Sequence, residues 1–351
     1  MADTGSKKMV IFYILEILKK YSDGEHKLSQ KDIENVLKGR YGIIADRKSV
    51  KSNIMSLIEF GYPINYSDKV RVTPNKKTGI MEENVIMYDF YMEHDFDKSE
   101  LRLMIDSLFT TTNVPNAPCK DIISKLENQS SEYFKSHVKH IASMPEHKND
   151  NKQIFYTINV VDEAISQGCK ISFKYGEYGS DLKLRARKGE DGKDKVYVAS
   201  PYQMVVKDGH YYLILNSDSF DNAAHYRMDR ILDVKVLDEK ARPFKTLVGS
   251  NGLPLNLKSY MEEHIYMYVG DSDRATLRVN KRMISDMVDI FGKEIKFSNE
   301  TESNVDVVVK ANSESVLHIA QRYAPDVVIL EPQELRDEIV KRLKRGVDGY
   351  E

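Results

Sequence analysis

Two short stretches place arginine and tyrosine where they can hold an anion. "GHYYLILNSD", residues 209–218, runs Tyr211 and Tyr212 into an aliphatic strand, and "HYRMDRILDV", residues 225–234, flanks Met228 and Asp229 with Arg227 and Arg230. A guanidinium grips a phosphate through two parallel hydrogen bonds, and an aromatic face stacks on a base. Together the stretches read as one antiparallel hairpin. Side chains alternate between the faces of a strand, so Tyr211 and Tyr212 cannot both be core, and one of them lines a surface. Arg227 and Arg230 are an odd number apart and point to opposite faces of a regular strand; a bend near Asp229 brings both to one site. The bland alternative for Arg230 is a salt bridge to Asp229 or Asp233.

A second basic group lies near the amino terminus. In "ADRKSVKSNIMSLIEFGYPI", Asp46 caps a helix, Val50, Ile54, Leu57 and Ile58 form its apolar stripe, and Gly61 with Pro63 ends it. Arg47, Lys48, Ser49, Lys51 and Ser52 crowd its first turn and a half, where a helix-turn-helix presents side chains to base edges. The bland alternative is a solvated helix end. Two helices precede it: "KMVIFYILEILKK", and one starting at Ser29, with Asp32 at capping-box spacing and Leu28 and Ile33 as a hydrophobic staple. Two strands follow, "INYSDKVRVT" and "ENVIMYDFYM", joined by "PNKKTGIME". This is the order of a winged helix, with Lys76 and Lys77 at the wing tip beside DNA phosphate.

Charge supports that division. Residues 1–77 carry 15 Lys and Arg against 9 Asp and Glu, and the remainder carries 37 against 45, so a basic first segment precedes an acidic rest. With 351 residues the chain holds two or three domains. It shows no bilayer-length apolar run and no leader at Met1, and reads as soluble and cytoplasmic. Cys119 and Cys169 indicate neither a disulfide framework nor a thiolate metal site. His137, His140 and His147 have no acidic or thiol partner at ligand spacing and read as exposed helix histidines, so no metal is expected.

The middle of the chain changes grammar. Connector helices, "DKSELRLMIDSLFTT" and "CKDIISKLENQSSEYFKSHVKHI", give way to the polar run "PEHKNDNKQ" and then to one short helix, "INVVDEAISQGC". After it come short strands separated by Gly, Asp and Asn, the pattern of a small barrel or curled sheet; "GEYG" at 176–179 reads as a hairpin turn. That helix with its strands, the block "PYQMVVKDGHYYLI" and the block "HYRMDRI" resemble the WYL domain, a small Sm-like barrel of bacterial transcription regulators. The family name records Trp-Tyr-Leu. This chain has no tryptophan and reads Tyr211-Tyr212-Leu213, which keeps a flat aromatic and adds a hydroxyl. The resemblance covers most of the chain, because the family often carries an amino-terminal winged helix and a carboxy-terminal extension. It implies a ligand-sensing surface at Tyr202, Tyr212, Arg227 and Arg230, with Arg185 and Arg187 added from an earlier strand.

From Tyr260 the pattern predicts a strand over about 265–279 and then a β-α-β-β-α-β order with a terminal helix, ferredoxin-like. The expected whole is an α+β multidomain protein. It has a winged helix-turn-helix (1–95), a helical connector (96–150), an Sm/SH3-like β-barrel of WYL type (151–245) and a ferredoxin-like extension (258–351), which the resemblance associates with dimer contacts. No nucleophile elbow, phosphate loop, His-Glu zinc helix or paired Cys-His is present, so neither catalysis nor a cofactor is expected. The expected function is a homodimeric, ligand-responsive regulator binding a double-stranded operator, its effector a nucleotide or short single strand. A single-strand-binding accessory protein of a phage-defence or CRISPR system, where some proteins of the resembled family occur, is the alternative.

Overall fold

The computed structural model describes residues 9–74, 80–110, 114–137, 153–268, 270 and 272–351. Helices mix with three antiparallel sheets in two compact units, Met1–Lys148 and Asn149–Glu351. No helix among the described residues is long and apolar enough to cross a membrane.

In the first unit, helices α1 (Val10–Tyr21), α2 (Gln30–Tyr41) and α3 (Arg47–Phe60) precede a hairpin of β1 (Ile64–Pro74) and β2 (Met81–Met92). Local chemistry sets the helix ends. The Ser29 hydroxyl accepts from the Asp32 amide at 3.2 Å while the Asp32 carboxylate accepts from the Ser29 amide at 2.9 Å, a reciprocal cap whose loss costs about 1 kcal/mol. Asp46 caps α3 by accepting from the Ser49 amide at 2.7 Å. Gly42 and Gly61 close α2 and α3 at φ 68° and 110°, a region that strains any residue with a Cβ. Ile14, Leu18, Ile33, Leu37, Val50, Ile54 and Leu57 share one core with Phe90 from the hairpin. Phe90 and Leu28 exchange backbone hydrogen bonds, which ties the hairpin to the start of α2. Helices α4 (Lys98–Thr110), α5 (Asn116–Glu127) and α6 (Glu132–His137) follow, with Leu101, Ile105, Cys119, Ile123 and Phe134 as their own small core.

The second unit begins with α7 (Ile154–Gln167), stopped by Gly168 at φ 63°. Strands β3 (Cys169–Tyr178), β4 (Leu184–Ala186), β5 (Val196–Lys207), β6 (His210–Ser217), β7 (Ala224–Arg227) and β8 (Ile231–Lys240) form one sheet ordered β4-β3-β5-β6-β7, with β8 pairing back onto β3. Because β7 passes into β8 through a single 3-10 turn at Met228–Arg230, the sheet closes on itself. Ile171, Phe173, Leu213, Leu215, Met228 and Ile231 fill it, sealed by Ile154, Val161 and Ala164 of α7.

Where the pattern predicts a strand from about 265, the chain instead forms a turn that follows helix α8 (Leu257–Glu263), and β9 begins only at Ser272 (Ser272–Asn280). The Asn256 side chain accepts from the Ser259 amide and starts α8, and Met267 is buried with positive φ (55°), which a strand does not allow. Helix α9 (Ile284–Phe291), strands β10 (Lys296–Ser298) and β11 (Asn304–Asn312), helix α10 (Ser313–Arg322), strand β12 (Val327–Glu331) and helix α11 (Gln333–Asp348) complete the chain. The sheet runs β10-β11-β9-β12. Its alternating Leu277, Val279, Val305, Val307 and Val309 face inward, and Arg278 and Asp306 pair across the other face.

Candidate functional site

The β6–β7 hairpin divides its two tyrosines as alternation requires. Tyr211 packs on the barrel core, whereas Tyr212 lies on the opposite face with Val205, Ile214 and Met267, directly across from Arg227. The 3-10 turn supplies the bend that a shared arginine site needs. It buries Met228 and Asp229 and leaves Arg227 and Arg230 half-buried.

Three guanidinium groups from two strand pairs gather around Tyr175. Arg227 donates to Asp229 through Nε (3.1 Å) and Nη2 (2.6 Å), and its backbone amide donates to the Tyr175 hydroxyl at 3.2 Å. Arg187 lies 5.2 Å over the Tyr175 ring and donates to Glu177 at 3.1 Å. Arg230 sits 6.0 Å over the Tyr178 ring, and its buried Nε has no acceptor among the described residues. Both expected salt-bridge partners of Arg230 are engaged elsewhere, Asp229 with Arg227 and Asp233 with Lys174 at 2.8 Å. Three cations therefore meet two carboxylates, and the uncompensated one is partly desolvated, where an incoming anion gains most.

Burial shapes the titration of the rim. It pushes the Tyr175 and Tyr212 hydroxyls above their ordinary values, and it holds His210 below its own, helped by the Arg227 charge. Burial also works against the Arg227 charge, but the two bonds to Asp229 outweigh it and the pKa is raised. His210 meets Tyr212 edge-on at 6.4 Å, so the rim is neutral and aromatic around a cationic floor.

Not every residue of the expected surface joins this cluster. Tyr212, Arg227, Arg230 and Arg187 come together. Arg185 shares a face with Arg187 but is exposed and gives its fork to Asp181 at 2.7 Å. Tyr202 packs edge-on against Phe244 at 5.3 Å, and burial pushes its hydroxyl up to about 12. Tyr175, Tyr178 and His210 were missed. Only the β3–β8 register, which sets Tyr175 beside Ile231, reveals the first two, and His210 opens the tyrosine stretch itself.

The same outer face of the hairpin is docked by the segment leading to the last sheet. His225, across from Ile214, donates from Nδ1 to the Met267 carbonyl at 2.9 Å; its Nε2 is then the acceptor for the Tyr260 hydroxyl at 2.8 Å. Burial, and then neighbouring His264, lower the His225 pKa to about 3.

In the first unit, Arg47, Lys48 and Ser52 are exposed at the amino end of α3. Ser49 is half-buried, and the Lys51 ammonium reaches the Val85 carbonyl of β2 at 3.5 Å. Lys76 and Lys77 lie outside the described residues. The described hairpin adds Lys69 and Arg71 on one face, a feature the pattern at the tip did not reveal.

One group among the described residues has metal-ligand spacing: Asp23, Glu25 and His26 bring ligand atoms within 4.8 Å. Their own chain already satisfies them. Asp23 accepts from the Ser131 hydroxyl and from two backbone amides, and Lys98 supplies the cation. The side chain of His137, and His140 and His147, lie outside the described residues.

Comparison with known proteins adds two domain matches. The WYL domain model matches residues 156–236 and the WCX domain model residues 271–347. No curated protein matches. Among solved structures the chain is similar to Proteasome accessory factor B/C (PafBC) of Arthrobacter aurescens, with 12% identity and a TM-score of 0.27 over 96% of this chain and 48% of that one. It is also similar to a CRISPR Cas-related protein, with 14% identity and a TM-score of 0.35 over 100% of this chain and 87% of that one. The chain thus spans about half the length of the PafBC chain.

Proposed function

We propose that this chain, which carries a WYL domain with a WCX domain behind it, is a ligand-responsive, DNA-binding transcription regulator acting as a homodimer. In this reading residues 1–95 are a winged helix-turn-helix and 96–150 a connector; 151–245 are the Sm-like sensing barrel and 258–351 a ferredoxin-like extension. Arg47, Lys48, Ser49, Lys51 and Ser52 meet duplex DNA, with Lys76 and Lys77 on its phosphates. The exposed Val340, Leu343 and Val347 of α11 form an apolar stripe that suits a second copy, and a two-fold protein favours a palindromic operator.

The observation that carries the sensing half is Arg230. A half-buried guanidinium with an orphan Nε, lying against a tyrosine and beside a second arginine, is costly to the fold and useful to an anion. Arg187, Arg227 and Arg230 hold the anion, and Tyr212 supplies a flat face for a base; Tyr202 and Arg185 act at the margin. The effector is a nucleotide or a short single strand. To alter DNA binding it must favour one arrangement of the protein, because equal affinity for two states shifts neither.

Fluorescence anisotropy of a labelled single-stranded oligonucleotide at low salt tests the assignment. Arg227→Ala with Arg230→Ala is expected to abolish binding, and Arg185→Ala to change it little. Unchanged affinity in the double variant would remove the site from the barrel.

A further inference from the structure

The turn after α8 lays one residue on the barrel and sets its two half-buried neighbours against α10. Met267 is buried with Val205, Ile214 and Tyr212, so it pins the segment to the outer face of the ligand hairpin. Tyr266 and Tyr268, on either side, both meet His318 of α10, with ring centroids at 5.1 and 6.3 Å, and lie 6.1 Å from each other. Arg322, one turn beyond His318, sits 5.4 Å over the Tyr323 ring. His318 and Arg322 are exposed. Among the described residues no carboxylate pairs with Arg322.

This patch adjoins the barrel site. Met267, between Tyr266 and Tyr268 in the chain, packs in one cluster with Tyr212 of the barrel site. Several rings in edge contact, an exposed imidazole and a guanidinium with no carboxylate partner among the described residues form no metal-ligand set and no nucleophile-base pair. They do form the combination that takes stacked bases beside a phosphate.

We propose that Tyr266, Tyr268, His318 and Arg322 form a second subsite for a single-stranded nucleic acid, receiving further bases of a strand whose phosphate is held at Arg227 and Arg230. This rests on the reading of the hairpin as an anion site. In this arrangement the WCX domain shares in ligand recognition instead of serving only as a scaffold.

The test compares oligothymidines of about three and about twelve nucleotides on the full-length protein. The longer strand is expected to bind at least about tenfold more tightly. Arg322→Glu and His318→Ala, both at exposed positions that leave the core intact, should remove that gain and leave trinucleotide affinity unchanged. Tyr268→Ala should do the same. A length gain that survives Arg322→Glu, or no gain in the unaltered protein, overturns the second subsite alone. Absence of trinucleotide binding in the unaltered protein overturns the hairpin reading and the second subsite with it.

Discussion

Two substitutions of the same kind, Arg230→Met and Arg227→Met, should move stability in opposite directions. Arg230 carries a buried Nε without an acceptor among the described residues, a desolvation cost of about 1–3 kcal/mol that methionine removes while keeping an unbranched apolar stem. Against this, the contact with the partly exposed Tyr178 ring is lost, about 0.5–1 kcal/mol. The net is a stabilisation of up to about 2.5 kcal/mol, or up to about 10 °C in Tm for a unit of this size. Arg227→Met instead strands Asp229, whose side chain is 3% exposed and accepts two of its hydrogen bonds. Breaking a buried pair costs about 3–5 kcal/mol; with Arg227 itself 24% exposed, about 2–4 kcal/mol is expected, which lowers Tm by about 4–15 °C. Calorimetric unfolding of the full chain reads both, and anisotropy should show that each variant loses strand affinity. If Arg230→Met destabilises as much as Arg227→Met, Arg230 is a structural residue and the argument from its orphan nitrogen fails.

Other expectations concern pH, DNA and the first unit. His225 is held neutral in the fold with a pKa lowered to about 3, while an unfolded histidine titrates near 6.5. Its contribution is therefore complete above about pH 6.5 and declines as pH falls toward 3, by about 2 kcal/mol at pH 5; His225→Gln should flatten this part of the calorimetric pH profile. Arg47→Ala and Lys48→Ala should each weaken duplex binding and reduce the slope of log affinity against log salt by about 1, whereas a protein gripping DNA only through its barrel would keep its slope. Asp23→Asn keeps the shape of the turn but loses charge-assisted bonds from two backbone amides and Ser131, and should lower the stability of the first unit by about 1–3 kcal/mol in urea unfolding.

Much of the fold is legible because local chemistry and tertiary packing agree. The Ser29–Asp32 cap marks the start of α2, the Asp46 cap and Gly61 mark both ends of α3, and short β-rich runs separated by Gly, Asp and Asn mark the barrel strands. The segment after Leu257 is not legible. Its apolar residues fit either period, and the outcome is decided by Met267 and Tyr260 packing on a hairpin some 50 residues earlier. The site divides in the same way. That one of Tyr211 and Tyr212 lines a surface follows from strand alternation, and the odd spacing of Arg227 and Arg230 tells only that a shared site requires a bend near Asp229; the register of Tyr212 with Arg227 comes from the fold. What no local pattern tells is which carboxylate pairs with which arginine. That depends on the 3-10 turn, which gives Asp229 to Arg227, and on the β3–β8 contact, which gives Asp233 to Lys174. The freedom of Arg230 is a tertiary property, as is the pairing of Tyr202 with Phe244.

The most direct test of a sensor coupled to a reader is titration of a labelled duplex from the gene's own upstream region, with and without a saturating short single strand, across a salt series. The account expects selective duplex binding whose affinity shifts about fivefold or more with the strand, and no shift in Arg230→Met. Tight strand binding beside weak, unselective duplex binding that the strand leaves unchanged would contradict it.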